Sequence, residues 1–135
     1  MVYVRSRLYC IVLLVAGVLL LLAGGPAAGA LKPPLEAPQL RALLGQEGGE
    51  VFLLDVRTRR EWAGGRIPGS VWIPMNDVPA RLADIPARSK VVVVCASGVR
   101  SAAVARYLDQ MGYPWVANYP GGVVDWSRRG LPLER

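Results

Sequence analysis

Histidine is absent from this 135-residue chain, and cysteine occurs only as Cys10 and Cys95. The lack of imidazole excludes Cys-His and Ser-His nucleophile pairs and histidine general bases. It also excludes nearly every common zinc site, because two thiolates alone are too few ligands. We therefore expect no metal and no cofactor. Any catalysis has to use a nucleophile that ionises without a neighbouring imidazole.

The chain also lacks a clustered basic stripe, although its formal net charge is +6. The 16 lysines and arginines are spread along the sequence. Nucleic-acid-binding proteins concentrate such residues on one face or helix, so we expect no nucleic-acid partner. The charge balance favours a solvated surface with a mild preference for anions.

Residues 1–30 have the three-part layout of a secretory signal. Arg5 and Arg7 precede an apolar stretch at residues 8–23, and small residues lead up to Ala30. This layout predicts cleavage after Ala30 and export to the periplasm or another extracytoplasmic compartment. The alternative is an uncleaved membrane anchor formed by residues 8–23, although this stretch is shorter than the ~20 residues that span a bilayer.

Removal of the signal would leave Cys95 as the only cysteine and a net charge of +4, from 14 basic and 10 acidic residues. A lone thiol in an oxidising compartment cannot form an internal disulfide, so it is either idle or functional.

The rest of the chain reads as a short linker at residues 31–34 followed by one domain at residues 35–135. Buried-strand patterns alternate with short helical patterns, which predicts an α/β domain around a parallel sheet. The predicted strands are 51–54, 70–73, 90–94 and 115–118. The predicted helices are 37–44, 77–83, 101–111 and 123–129, with a one-turn helix that holds Glu61 and Trp62 and has Thr58 as its N-cap.

Cys95 lies at the most informative position in the chain, directly after four consecutive valines and before a helix. Ligands of parallel sheets bind beyond the carboxyl ends of the strands. Gly98 permits a turn whose amides point inward, and Arg100 adds a full positive charge, so both favour the thiolate. The alternative is an inert, buried cysteine, as most free cysteines are.

The predicted helix 101–111 carries two further expectations. We expect Ser101 to be its N-cap, although a substrate contact is also compatible with its position. Ala103, Tyr107 and Met111 repeat every four residues, with Leu108 beside them, which predicts that these four residues form its buried face.

Four sequence blocks together resemble rhodanese domains, and they span residues 35 to 134. They are Cys95-Ala96-Ser97-Gly98-Val99-Arg100-Ser101; Leu54-Asp55-Val56-Arg57 with Glu61; Arg66-Ile67-Pro68-Gly69-Ser70 before Ile73-Pro74; and Gly121-Gly122 with Trp126, Gly130 and Pro132. The resemblance implies a three-layer sandwich with a central parallel sheet flanked by short helices.

The resemblance also implies sulfurtransferase activity of the thiosulfate:cyanide type. Cys95 would take a sulfane sulfur from thiosulfate or polysulfide as a persulfide and pass it to a thiol, to cyanide or to a partner protein. Arg100 would bind the negative charge of the anion. The amides of the loop would surround the persulfide, and they belong to Ala96, Ser97, Gly98, Val99 and Ser101. The alternative is a sulfur carrier without turnover, because a fold does not determine a function.

The sequence departs from the family pattern at two positions. Arg66 stands where histidine usually precedes Ile-Pro-Gly, and Ala96 stands where many active members carry a charged side chain. Because Ala96 carries no charge, the sequence does not indicate which sulfur donor the protein prefers. A related phosphatase activity is disfavoured, because Arg100 follows Cys95 by five positions rather than the six that such phosphatases need.

Asp55 and Arg57 flank the exit of the strand at 51–54, near the expected mouth of the site. We favour a structural ion pair or clamp between loops for these two residues over a role in substrate binding.

Overall fold

A single parallel sheet of five strands organises the computed structural model, which describes residues 30–46 and 51–135. The strands are β1 (Ala30–Leu31), β2 (Val51–Asp55), β3 (Val71–Trp72), β4 (Lys90–Val94) and β5 (Trp115–Asn118). Their spatial order is β1-β5-β4-β2-β3, and every pair is parallel. Residues beyond the carboxyl ends of β2 and β4 therefore meet at one edge of the sheet.

Short helices connect the strands on both sides of this sheet. They are α1 (Ala37–Leu44), α2 (Arg59–Ala63), α3 (Val99–Gln110) and α4 (Gly122–Arg128), together with a 3₁₀ segment (Met75–Asp84). Thr58 caps α2 as predicted, in a reciprocal capping box with Glu61.

The four valines of β4 pack on both faces of the sheet, because successive side chains of a strand point to opposite faces. The sheet therefore lies at the centre of the fold. Val91 and Val93 pack with Leu108 of α3 in one hydrophobic cluster, and Val92 and Val94 belong to the other, with residues of α1 and α4. All four valines are fully buried. The three-layer α/β sandwich expected from the sequence is thus confirmed.

The third helix begins earlier than predicted. Gly98, with a φ of 88°, is its N-cap, and the helix starts at Val99 rather than at Ser101. The left-handed glycine turns the chain directly from the cysteine loop into the helix. Ser101 therefore lies inside the first turn, where its hydroxyl group is free to bind another partner, and its predicted N-cap role is wrong.

The buried face of α3 also differs from the prediction. Leu108 is buried as predicted, together with Ser101, Val104 and Ala105. Ala103 and Tyr107 are only half-buried, and Met111 lies past the last helical residue and is 49% exposed. The spacing of four was real, but a helix that packs against a sheet through small residues can bury a neighbouring stripe instead.

Two elements are less regular than predicted. The segment expected to be a helix at 77–83 is a kinked 3₁₀ segment, because Pro79 lies inside it and has no N–H to donate. The strand expected at 70–73 is reduced to the two residues of β3, which pairs only with β2 at the edge of the sheet.

The predicted signal or anchor within residues 1–30 lies outside the described residues, apart from Ala30. Among the helices in the part of the chain that is described, none is long and apolar enough to cross a bilayer.

Candidate active site

Cys95 follows β4 directly and begins the loop that leads into α3. The loop needs glycine at Gly98, where φ is positive and a Cβ atom would lie 2.7 Å from Cα of Pro120. No side chain fits between these two backbones without moving one of them. The loop geometry is therefore held by close packing as well as by hydrogen bonds.

The sulfur of Cys95 is buried, with 1% of the residue exposed, yet it accepts polar hydrogen bonds. The Gly98 N–H donates to Sγ at 3.1 Å, and the Ser101 hydroxyl group donates at 3.3 Å. Burial alone would raise the pKa of the thiol, but hydrogen bonds from Ser101 and from the amides of Ser101, Ser97 and Gly98 outweigh it. The pKa of Cys95 consequently lies below its ordinary value, which favours the thiolate nucleophile.

Arg100 forms a two-pronged ion pair with Glu61 across the loop. Its Nη2 donates to Oε1 at 2.6 Å and its Nη1 donates to Oε2 at 2.8 Å. The hydrogen bond to Arg100 is the main reason why the pKa of Glu61 is lowered to about 2. The charge of Cys95 is among the causes that raise the pKa of Arg100, so this guanidinium lies within electrostatic reach of the sulfur.

Glu61 is itself held by the cap of α2. Its Oε2 accepts from the amide of Thr58 at 3.0 Å and from the Thr58 hydroxyl group at 2.7 Å. The carboxylate that orients Arg100 is thus fixed to the helix that follows β2. This arrangement connects the loops after β2 and β4.

The predicted pairing of Asp55 with Arg57 is present and buried. Arg57 donates from Nη2 to Oδ2 of Asp55 at 2.7 Å and from Nε to both carboxylate oxygens. Its remaining donors reach the carbonyl groups of Glu61 and Gly65. The pair therefore fastens the α2 region to the end of β2, in line with the structural interpretation.

The start of α4 fastens the cysteine loop from the other side. The amide of Val123 donates to the carbonyl of Cys95 at 2.9 Å, and the amide of Val124 donates to the carbonyl of Ala96 at 3.1 Å. Gly122, with a φ of 62°, makes this approach possible, since a Cβ atom there would lie 2.6 Å from the Cys95 carbonyl oxygen. These two loop carbonyls thus bind α4, whereas the Gly98 amide of the same loop donates to the sulfur.

The remaining predicted site residues differ in where they lie. Ser97 on the loop and Val99 at the start of α3 are both exposed, Val99 by 77%. Arg66 stacks on Trp62, with 4.1 Å from Cζ to the ring centre, and lies 3.6 Å from the carboxylate of Glu134. The contacts of Arg66 therefore fasten the carboxyl-terminal segment to the α2 region rather than reaching the sulfur.

An open cleft of about 740 Å³ lies beside the loop. Ala96 belongs to its wall, so the cleft reaches the residue next to the nucleophile. The other lining residues come from the α2 region, from α4 and from the carboxyl-terminal segment: Arg57, Arg60, Glu61, Gly64, Gly65, Val123, Val124, Ser127, Arg128 and Leu133.

Sequence reasoning missed the partnership of Glu61 with Arg100 and the contribution of α4. Glu61 belongs to one of the family-like blocks, and this was the available signal, but the two residues are 39 positions apart. Gly121-Gly122, at the start of α4, also belongs to one of the family-like blocks, and this was the available signal for α4.

The fold and the loop together define a small α/β protein with a hydrogen-bonded cysteine of lowered pKa between a central strand and a helix. A family model described as Rhodanese-like domain matches residues 36–129. The chain belongs to the rhodanese-like domain family, and the resemblance inferred from its sequence is confirmed.

Known proteins of this type are similar to the chain over most of its length. A sulfurtransferase of Allochromatium vinosum is 44% identical over 84 residues, which cover 62% of this chain and 78% of that protein. The human thiosulfate:glutathione sulfurtransferase is 32% identical over 111 residues, which cover 72% and 95%. A rhodanese-related protein from Thermoplasma volcanium has a crystal structure with a TM-score of 0.69 at 28% identity, covering 76% and 98%. These relatives support sulfur transfer as the general type of activity.

Proposed function

We propose that the protein transfers a sulfane sulfur through a persulfide on Cys95. In the first step the Cys95 thiolate attacks the outer sulfur of thiosulfate, and a new S–S bond forms. The S–S bond of thiosulfate breaks, and sulfite leaves with its electron pair. No metal, cofactor or external oxidant takes part, because the sulfane sulfur already carries the required oxidation state.

The loop supplies the electrostatic help that this step needs. Its amides and the Ser101 hydroxyl group stabilise negative charge on Sγ, which is the charge that returns when the persulfide is discharged. Arg100, whose guanidinium is oriented by Glu61, would bind the charge of the donor and of the departing sulfite. In the second step a thiolate or cyanide attacks the outer sulfur of the persulfide and regenerates the Cys95 thiolate.

One observation carries this proposal: a buried sulfur at the carboxyl end of a central strand accepts hydrogen bonds from Gly98 and Ser101. A cysteine that only fills space in an apolar core does not need hydrogen-bond donors at its sulfur. The donors at Cys95 favour its charged, thiolate form. The names of the sulfurtransferase relatives agree with the same chemistry and, in the human relative, with thiosulfate as donor.

Sulfite release and mass spectrometry test the proposal directly. Purified protein mixed with thiosulfate should release sulfite and gain about 32 Da on Cys95, the mass of one persulfide sulfur. Cys95→Ser should do neither while keeping its unfolding temperature, because serine fits the same hydrogen bonds. Arg106→Gln, an exposed change on α3 outside the cysteine loop, serves as the control. Sulfite release by Cys95→Ser would disprove the role of the thiol.

The same measurements separate an enzyme from a sulfur carrier. A carrier would gain the persulfide from polysulfide or from a partner protein without releasing sulfite from thiosulfate. Sulfite release with multiple turnovers in the presence of cyanide or a thiol establishes the enzyme.

We also propose that the protein is exported, on the basis of the charged, apolar and small-residue pattern of residues 1–30. The mass of the protein purified from a cell envelope fraction tests this. Loss of residues 1–30 supports cleavage after Ala30, whereas an intact membrane-bound chain supports the anchor formed by residues 8–23.

A further inference from the structure

Asn118 brings a polar side chain from a neighbouring strand to the end of the cysteine loop. It is the last residue of β5 and pairs with Val93 of β4. Its Nδ2 donates to the carbonyl of Gly98 at 3.3 Å. Asn118 and Gly98 are 20 positions apart in the chain, so they meet because β5 lies next to β4 in the sheet.

The backbone of Asn118 is fixed without help from its side chain. Its carbonyl accepts from the amide of Leu35 at 2.9 Å, and the following amide, of Tyr119, donates to Val93 at 3.1 Å. Within residues 30–46 and 51–135, the side chain forms one hydrogen bond, to Gly98, and its Oδ1 is buried without a partner. Asparagine is also depleted in strands, where β-branched residues pack better. The contact with Gly98, rather than the strand, therefore accounts for this side chain.

The carbonyl of Gly98 is the group from which α3 starts. It also accepts from the amide of Ala102 at 3.0 Å, which closes the first turn of the helix. Both hydrogen bonds to the sulfur of Cys95 come from this part of the chain, one from the Gly98 amide and one from the Ser101 hydroxyl group. A bond that fixes the Gly98 carbonyl therefore fixes the position of both donors.

We infer that Asn118 is a positioning residue for the nucleophile of the proposed reaction. Its side chain holds the Gly98 carbonyl and thereby keeps the donors of Gly98 and Ser101 aimed at the sulfur. The inference rests on the proposed function and names a further residue on which that reaction depends. Asn118 acts through the first turn of α3, so its loss should change the ionisation of the thiol. The loss of one neutral hydrogen bond corresponds to a pKa change of about half a unit to one unit.

The pH dependence of Cys95 alkylation by iodoacetamide tests this role, with the reaction followed by the mass of the peptide that contains Cys95. Asn118→Leu removes the donor and the unpaired oxygen but keeps the shape of the side chain, so we expect little change in the unfolding temperature. Its alkylation profile should move to higher pH by about half a unit to one unit. Asn118→Ala, which adds no atoms, should move the profile in the same direction and gives the same test if leucine does not fit.

The matched control is Asn76→Leu, because Asn76 is an exposed asparagine on the 3₁₀ segment. Its alkylation profile should stay where that of the wild type lies. An unchanged profile in the folded Asn118 variants would overturn the inference, and so would an equal shift in Asn76→Leu.

Sulfite release from thiosulfate separates this role from the proposed function. Below the pKa of the thiol, Asn118→Leu should lower kcat/KM for thiosulfate by about three- to tenfold, because the thiolate fraction falls by that factor. Above the raised pKa the rate should approach that of the wild type, and a loss that is the same at every pH would overturn the inference. Absence of sulfite release by the wild type would overturn the persulfide mechanism, whereas the alkylation profiles still decide the role of Asn118.

Discussion

Replacing Glu61 by glutamine should remove an acid-dependent part of the stability of the fold. The ion pair with Arg100 and the hydrogen bonds from Thr58 hold the pKa of Glu61 at about 2, against an ordinary value of 4.5. A carboxylate whose pKa is depressed in the folded state stabilises that state fully above its unfolded pKa. This stabilisation shrinks as the pH falls from 4.5 towards 2, and it is lost only below the folded pKa, where the carboxylate is protonated in both states.

The magnitude follows from the two pKa values and from the exposure of the pair. A difference between 4.5 and about 2 corresponds to about 3 kcal/mol for a fully shielded group. The side chains of Glu61 and Arg100 are 34% and 33% exposed, so solvent screens part of their attraction. We therefore expect Glu61→Gln to lower the free energy of unfolding by about 1–2 kcal/mol at neutral pH.

Urea unfolding of the wild type and of Glu61→Gln at a series of pH values measures this effect. The difference between the two proteins should be constant above about pH 5 and shrink as the pH falls below the unfolded pKa. Asp84→Asn is the control, because the Asp84 to Arg81 pair is more exposed and should contribute little. A difference in the free energy of unfolding that stays the same down to about pH 2.5 would refute the depressed pKa of Glu61. It would also refute the role of the ion pair with Arg100 in lowering that pKa.

The remaining predictions concern the cysteine loop and the clamp behind it. Ser101→Ala removes the hydroxyl donor to Cys95 Sγ, so the pKa of the thiol should rise. The pH dependence of iodoacetamide alkylation should then move to higher pH by about one unit. An unchanged pH profile would contradict the hydrogen bond. Gly98→Ala puts a side chain at a residue with a positive φ and places its Cβ atom against the backbone of the loop that precedes α4. This should lower the free energy of unfolding by about 1–3 kcal/mol. A variant with the unfolding midpoint of the wild type would show that the loop is free to relax. Asp55→Ala leaves the Arg57 guanidinium buried without its anion and should cost about 3–5 kcal/mol in urea unfolding, so a loss below about 1 kcal/mol would argue against a buried clamp.

The loop also shows how burial and activation are compatible in one sulfur atom. The side chain of Cys95 packs in a hydrophobic cluster with residues such as Val93 and Ala105, which by itself favours the neutral thiol. The amides and the hydroxyl group that face it reverse this preference. The apolar surroundings then strengthen those hydrogen bonds, because little water competes for them.

Local sequence patterns were sufficient for most of the secondary structure. The helix Ala37–Leu44 and the strands Lys90–Val94 and Trp115–Asn118 have their predicted bounds. Their signals are short-range: hydrophobic periodicity, proline at a helix start and glycine at a helix end. The same kind of signal predicted the capping of α2 by Thr58. The position of the nucleophile after a buried strand was available from the same patterns.

The predictions that failed depended on how elements pack rather than on local preference. Ser101 has the residue type of an N-cap, but Gly98 takes that position because Pro120 approaches the loop too closely for a side chain. The spacing of Met111 with Tyr107 is helical, but the sheet buries a different face of α3. Packing against a distant element therefore overrode the local signal in both cases.

The sequence by itself determined the order of the strands and helices, the family and the location of Cys95, because these follow from periodicity and motif within a few residues. Only the tertiary structure decided what surrounds the sulfur. The parallel register pairs Asp55 with Val94, so the loops after β2 and β4 leave the sheet side by side. Glu61 consequently reaches Arg100, and α4 lines the same cleft as α2, although nothing in the local chain relates these residues to each other.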